Sequence, residues 1–133
     1  MNFKDILETL PSIDHLTGLD VLNGETVIHH IPAAPGKLGS LRLYHALAEK
    51  FNGKLDRTSA QQGIEWFAEH VEDAKQNPGK HPNIDLLFKV VAENVVYSFF
   101  SSQHAERRPD LLLIRYCITT VVIIPQFVLF DSF

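Results

Sequence analysis

Residues 29–44 form the stretch that most restricts how the chain can fold, because the backbone has to change conformation twice within it. β-Branched residues lead into the stretch, prolines and glycines fill its middle, and apolar residues at helical spacing follow. Proline fixes φ and lacks an N–H group, and glycine favours turns, so neither a strand nor a helix continues through the middle. The sequence therefore predicts a strand, a loop that carries Lys37, and a helix from about Leu41 to Phe51 that Ser40 caps.

A second loop, residues 78–84, repeats this plan later in the chain. Its Pro-Gly-Lys triplet aligns without gaps with residues 35–37, and Asn83 takes the position of Ser40. Asparagine, like serine, is a common N-cap because its side-chain oxygen accepts a hydrogen bond from a free N–H group of the first helical turn. We therefore expect a helix that Asn83 caps and that runs to about Glu93.

The remaining pattern mixes helical and strand periodicity and predicts an α+β fold. Residues 19–31 read as a β-hairpin around Asn23 and Gly24, a pair that suits the two positive-φ positions of a type I′ turn. Residues 95–100 read as a strand that pairs with this hairpin. We expect the hairpin and one or more C-terminal strands to pack against three to four helices. The further helical segments are about residues 3–10 and, after Ser59 as a cap, about residues 60–76.

The length and charge of the chain limit the classes of protein to which it can belong. At 133 residues it suits a single domain, which we place at residues 1–103. A formal net charge of −4 provides no basic surface for nucleic acid. Cys117 is the single cysteine, so no internal disulfide can form, and the N-terminus lacks the apolar segment of a signal peptide. These features predict a cytoplasmic protein.

Residues 104–133 differ from the rest and form an apolar C-terminal extension. Within them, residues 111–130 contain one charged residue, Arg115, and one proline, Pro125. A helix of that length would just cross a bilayer, but the charge and the proline oppose its insertion. Several consecutive β-branched residues favour strands instead. Three alternatives stay open for this extension: buried strands, a membrane anchor, or a non-native tail.

The two Pro-Gly-Lys loops are the best candidates for a binding site. A helix N-terminus presents unpaired N–H groups and the positive end of the helix dipole, and both attract an anion. A glycine lets a ligand approach the backbone, and a lysine adds positive charge. The same residue types also serve any loop that leads into a helix, and the first loop lacks the Ser or Thr of a P-loop. The candidate ligand-binding residues are Gly36, Lys37, Ser40, Lys80, His81 and Asn83.

The seven histidines of the chain raise the question of a metal site. His45 and Glu49 lie at i and i+4, a spacing at which two side chains on one helix face can share a metal ion. A third ligand would have to come from His29 or His30. Histidines that are exposed to solvent, or hydrogen-bonded within the core, explain the pattern better. We therefore expect neither a metal nor a cofactor. No Ser or Cys nucleophile motif and no metalloprotease motif is present, and we assign no catalytic residue.

Four strings of sequence carry a resemblance to a known family: PSID at residues 11–14, IPAAPGKLGSL at 31–41, YH at 44–45 and NPGKHPNID at 77–85. Across about residues 11–94, the chain resembles a family of small bacterial proteins classed as a domain of unknown function. The resemblance implies a compact bacterial protein without an assigned activity, so it supplies no catalytic residue. Members of that family end soon after the strand near Tyr97, and the apolar extension departs from their pattern.

These observations lead to three hypotheses about function. The first is a non-enzymatic binding module that holds a small anion, a protein partner or a second copy of the chain through the two loops. The second is a small enzyme acting on a phosphorylated or carboxylated metabolite, with His45 or His81 as acid or base. The third is a membrane component anchored through residues 111–130. A cavity shared by Lys37, Lys80 and a histidine would favour the enzyme, and loops on opposite faces would favour a plain scaffold.

Overall fold

The computed structural model describes residues 2–103, which fold into five helices and a four-stranded antiparallel sheet. The predicted α+β class is confirmed. The predictions made for residues 104–133, and for the boundary between the domain and its extension, lie outside the described residues. The elements in chain order are α1 (Phe3–Glu8), β1 (Leu16–Asn23), β2 (Thr26–Pro32), α2 (Leu38–Lys50), β3 (Lys54–Leu55), α3 (Arg57–Phe67), α4 (His70–Gln76), α5 (Pro82–Glu93) and β4 (Tyr97–Gln103).

The sheet has the strand order β2-β1-β4-β3, and every pair of neighbours is antiparallel. The predicted pairing of the C-terminal strand with the hairpin is confirmed, because Val21 of β1 lies opposite Phe99 of β4. The short strand β3 was not predicted. Its two residues are too few to show a period of two, so pairing with Ser98 and Tyr97 is the feature that defines it.

The hairpin itself is confirmed, but its predicted turn is wrong. Asn23 is the last residue of β1 and pairs with Thr26, so the two-residue loop is Gly24 and Glu25. Of this pair, Gly24 is the residue with positive φ, at 66°. A glycine with positive φ in the first loop position is typical of a type II′ turn. The pairing register also shifts between Val21 and the residue after it, so the hairpin contains a bulge that was not predicted.

The caps predicted for the two helices that follow the loops are also wrong, because each helix begins earlier than its candidate cap. Helix α2 begins at Leu38, which places Ser40 inside the first turn, and Lys37 occupies the N-cap position without a side-chain hydrogen bond. Helix α5 begins at Pro82, with His81 in the N-cap position. Proline is favourable as the first helical residue, since its fixed φ is helical and its missing N–H has no partner there. Pro82 therefore starts the helix before Asn83 can cap it.

The single helix predicted over residues 60–76 is divided in two. Asp56, not Ser59, is the N-cap of α3, and the two side chains form a reciprocal capping box. Helix α3 ends before Ala68, whose φ is 51°, and α4 begins at His70. Neither proline nor glycine marks this break in the sequence. As a consequence, residues on both sides of this break lie towards the two Pro-Gly-Lys loops.

The core lies between the helices and one face of the sheet. Leu19 and Val21 of β1 are fully buried on that face, while Phe100, which pairs with Asp20 on the other face, is 58% exposed. Apolar residues of α2, α3 and α5 complete the core. Tyr44 of α2 is fully buried, and its hydroxyl donates a hydrogen bond to the carbonyl of Asn83 in the first turn of α5. This bond ties the middle of α2 to the beginning of α5.

Candidate functional site

The two Pro-Gly-Lys loops line one cavity, whose volume is about 410 Å³. The loops are far apart in the sequence, and the bond between Tyr44 and the carbonyl of Asn83 holds the helices behind them together. All six candidate residues predicted from the sequence belong to its lining: Gly36, Lys37, Ser40, Lys80, His81 and Asn83. The convergence of the loops is therefore a structural fact. Whether these residues bind a ligand stays a prediction.

An aromatic wall, which the sequence did not indicate, closes one side of the cavity. The rings of Phe3 and Phe67 stack with their centroids 5.5 Å apart and their planes 12° apart. The ring of His70 meets Phe3 edge-on at 4.9 Å. All three residues line the cavity. They were missed because they come from α1 and from the break between α3 and α4, whose positions depend on tertiary packing.

The first loop leads into α2 and leaves a lysine available. Gly36 has a φ of 84°, and no atom would lie within 4 Å of a Cβ built there, so the backbone faces open space. Lys37 is exposed and forms no ion pair within residues 2–103. Leu38 follows it and is 49% exposed in the lining of the cavity. This side of the cavity therefore presents a cation directly beside a large apolar side chain.

The second loop holds its lysine in a different way. The ammonium group of Lys80 lies 3.0 Å from Oδ2 of Asp73, and Nε2 of His81 lies 2.6 Å from the same oxygen. Hydrogen bonds from His81 and then from Lys80 lower the pKa of Asp73 to about 2. The carboxylate is therefore charged at neutral pH, and it offsets the positive charge of Lys80. The sequence did not indicate this contact, because Asp73 lies on the preceding helix.

Two N–H groups of the first turn of α5 already have partners within the chain. Pro82 has no N–H group, and the N–H groups of Ile84 and Asp85 donate to the carbonyl of His81. The N–H group of Gly79 donates to Oδ2 of Asp85 at 2.9 Å, so an internal carboxylate occupies this loop. The second loop therefore offers fewer free groups to an anion than its sequence suggests.

Asn83 lines the cavity but serves mainly as a structural link. Its Oδ1 lies 2.6 Å from Nε2 of His29, which donates the hydrogen bond, since the amide oxygen can only accept. Its carbonyl accepts from Tyr44. Both polar oxygens of Asn83 are thus bonded to β2 and α2, so the residue positions the second loop and is not free to cap α5.

A hydrogen bond to the carboxylate of Glu69 holds the short helix α1 at the aromatic wall. Oε1 of Glu69 accepts a hydrogen bond of 2.7 Å from the N–H group of Phe3. Hydrogen bonds from its own N–H group and from that of Phe3 lower the pKa of Glu69. Gly39 permits this packing, because a Cβ there would lie 3.2 Å from the ring of Phe3. The position of Phe3 in the cavity therefore depends on two residues outside α1.

The histidines considered as metal ligands do not come together in one site. Nε2 of His45 lies 3.4 Å from Oε2 of Glu49, but His30 bonds to Asp20, and His29 is held by Asn83. No group of three His, Cys, Asp or Glu side chains that could hold a metal occurs within residues 2–103. Burial lowers the pKa of His45, although the charge of Glu49 opposes this effect. His45 does not line the cavity, so His81 and His70 are the histidines next to the two lysines.

A second cavity, of about 450 Å³, lies beside the first and shares Leu38 and Gly39 with it. Its cationic residue is Arg42, whose guanidinium donates to the carbonyls of Leu10 and Pro11 at 2.7 and 3.1 Å. Those bonds fasten the segment between α1 and β1. Because the guanidinium is used in this way, the second cavity is a poorer candidate for an anion.

Comparison with protein families identifies the group to which the chain belongs. One family, described as uncharacterised proteins conserved in bacteria (DUF2322), matches residues 3–100. The chain belongs to this family. The search of curated proteins and the search of solved structures find no match. The resemblance predicted from the sequence is thereby confirmed, and the matched range is wider than residues 11–94.

The range that DUF2322 matches contains every residue that lines the cavity, from Phe3 to Ile84. The cavity is therefore built entirely from the part of the chain that defines the family. Among the helices of the described residues, none has the length and apolar character needed to cross a membrane. The cytoplasmic location stays a prediction.

Proposed function

We propose that this DUF2322 protein is a binding module for a small anion, which it holds in the cavity between the two Pro-Gly-Lys loops. The observation that carries the proposal is that Lys37 and Lys80, from loops far apart in the chain, line the same cavity. The protein as a whole is acidic, with a net charge of −4. Because Asp73 offsets Lys80, Lys37 gives this concave site its unpaired positive charge among residues 2–103, and that charge attracts an anion.

The concave form of the site supports a small molecule over a protein partner. A volume of about 410 Å³ lies within the range of small-molecule pockets, which is about 300–1,000 Å³. A protein partner binds through a broader surface, of about 800 Å² on each side. The three candidate residues of the first loop supply the anion's contacts: Lys37 gives the charge, Gly36 lets the ligand approach, and Ser40 offers its hydroxyl and N–H group.

A second candidate function, a small enzyme, is supported by the pair formed by His81 and Asp73. The shared cavity of two lysines and a histidine is the arrangement expected for such an enzyme. Asp73 accepts from Nε2 of His81 at 2.6 Å, which favours the tautomer that carries its proton there and leaves Nδ1 able to act as a base. An orienting carboxylate of this kind is common beside catalytic histidines. Anion binding is required by both functions, so it is the proposal that should be tested first.

Thermal unfolding of the full chain in the presence of small anions tests the proposal. The panel contains short carboxylates, aromatic carboxylates, inorganic phosphate and phosphate monoesters, each at millimolar concentration. An anion at about 100 times its dissociation constant stabilises the native state by about 2.7 kcal/mol, which is easily measured as a higher Tm. We expect at least one anion to raise the Tm. A flat response across the whole panel would contradict the proposal.

Substitution of lysines then locates the effect. We expect Lys37→Gln to remove the stabilisation by the active anion and Lys80→Gln to reduce it less, since Asp73 already offsets that charge. Lys75→Gln is the matched control, because Lys75 is an exposed lysine of α4 that does not line the cavity. Without an anion, Lys37→Gln should unfold at the same temperature as the unmodified chain, since Lys37 is exposed. Equal loss in the Lys37 and Lys75 variants would show that the anion binds without a specific site.

A further inference from the structure

The size of the cavity shows that a simple oxyanion would fill only part of it. The volume is about 410 Å³, and one water molecule occupies about 30 Å³ in the liquid. A tetrahedral or planar oxyanion is the size of a few water molecules, so most of the cavity would stay solvated around it. The space that remains is large enough for an organic group of several carbon atoms.

The lining of the cavity also contains apolar side chains that suit an apolar group. Leu38, beside Lys37, is 49% exposed, and the partly buried ring of Phe3 stacks on Phe67, which is buried. Leu38 and Phe3 therefore leave apolar surface in water. Covering that surface with an apolar part of a ligand is favourable, at about 25 cal/mol for each Å² removed from water.

The charges around the cavity match one negative charge better than two. Lys80 is paired with Asp73 at 3.0 Å, so Lys37 is the lysine of the lining that has no carboxylate partner within residues 2–103. A dianion would need Lys80 as well, and it would then lie close to the carboxylate of Asp73. Like charges at such short range repel each other, which disfavours a phosphate monoester.

We propose that the anion is the monoanion of a carboxylic acid whose apolar body is about the size of a phenyl ring, with the carboxylate at Lys37 and the body against Leu38 and Phe3. This inference rests on the proposed function and specifies its ligand class. It assigns different residues of one cavity to the two ends of the ligand. The carboxylate end meets the first loop, and the apolar end meets the aromatic wall.

Phenylacetate is the probe that tests the inference, with four comparison compounds at equal concentration. Acetate has the charge without the ring, and phenylacetamide has the ring without the charge. Phenyl phosphate and inorganic phosphate carry up to two charges, with and without a ring. We expect phenylacetate to raise the Tm of the full chain in a concentration-dependent way and the other four to raise it much less.

Substitution at Leu38 tests the apolar half of the site separately. We expect Leu38→Ser to weaken phenylacetate binding about tenfold, as measured by titration calorimetry, because about 1.4 kcal/mol of apolar contact corresponds to a factor of ten. Leu38→Gln is a second variant that keeps the side-chain length. The control is Val27→Ser, since Val27 is 53% exposed but does not line the cavity. That variant should bind phenylacetate as tightly as the unmodified chain.

The possible results separate the inference from the proposed function. Acetate or inorganic phosphate binding as tightly as phenylacetate would overturn the inference and leave the anion site in place. If phenyl phosphate binds more tightly than phenylacetate, the argument for a single negative charge fails. The inference then fails with it, and the anion site stays in place. Equal binding of phenylacetamide and phenylacetate would show that the charge is not recognised. A failure of every anion to bind would show that the cavity is not an anion site. Either of these last two results would overturn both proposals.

Discussion

Close packing at Gly63 leads to a stability prediction whose sign can be worked out from the structure. Gly63 lies in α3, where this helix contacts both α2 and α5. A Cβ built at this position would lie 2.8 Å from Cδ1 of Leu47 and 2.8 Å from Cδ1 of Leu87. Real Cβ atoms do not approach other carbon atoms so closely. Gly63→Ala therefore forces at least one of the two leucines, or α3 itself, to move.

Two opposing contributions determine the effect of Gly63→Ala on the free energy of unfolding. Alanine is favoured over glycine within a helix by about 1 kcal/mol. Overpacking in a core costs about 1–3 kcal/mol. Leu47 and Leu87 are both fully buried, so neither side chain can turn towards solvent to make room. Because the new methyl group meets two such side chains, we place the cost in the upper half of its range and expect a net destabilisation of about 1–2 kcal/mol.

Urea unfolding of the full chain, followed by circular dichroism, measures this effect. The midpoint should fall while the slope of the free energy with urea stays the same, because the surface exposed on unfolding hardly changes. Gly39→Ala in α2 is the matched control. Its Cβ would lie 3.2 Å from the ring of Phe3, which is only partly buried and can shift, so we expect the helix gain of alanine and the cost of this contact to cancel to within about 0.5 kcal/mol. A Gly63→Ala chain that is more stable than the unmodified one would refute the packing argument.

Two further predictions concern buried polar groups of α2. Tyr44→Phe leaves the carbonyl of Asn83 without its donor, and we expect a loss of about 1–3 kcal/mol in urea unfolding, with Tyr97→Phe, whose ring is also buried, as the comparison. Burial lowers the pKa of His45 below its ordinary value of 6.5, with Glu49 opposing the shift and His15 adding to it. As the pH falls through about 6.5, the unfolded state takes up a proton before the native state does. Stability should therefore decrease as the pH falls through this value, and His45→Gln should make that decrease smaller. An unchanged pH dependence in the His45→Gln chain would show that other groups cause it.

The features predicted correctly from the sequence are those with local signals. The hairpin follows from alternating residues around a glycine, and the two loops follow from prolines and glycines that neither helix nor strand accommodates. The six candidate residues were also identified from the sequence, although the sequence alone does not state that the loops meet or that an aromatic wall joins them. The bond from Tyr44, in the middle of α2, to Asn83, in the first turn of α5, holds the two helices behind the loops together. That bond joins residues far apart in the chain, so no local sequence pattern predicts it.

The features predicted wrongly depend on competition between neighbouring signals or on tertiary contacts. Asn83 is a good cap by residue type, but Pro82 begins the helix first. Ser59 is likewise a good cap, but it takes the N3 position of a capping box because Asp56 precedes it. The break at Ala68 has no proline or glycine to mark it. Hydrophobic periodicity continues through this break, so a pattern based on period alone predicts one helix.

The comparison of Lys37 with Lys80 shows how tertiary structure divides the roles of two residues that the sequence presents as equivalent. Both follow Pro-Gly, and both line the same cavity. Within residues 2–103, Lys80 has a carboxylate partner and Lys37 has none. Hydrogen bonds hold the pKa of that carboxyl group, Asp73, at about 2, so at neutral pH it is charged and offsets Lys80. We therefore expect the proposed anion to lie at the first loop, with the second loop and its internal carboxylates beside it.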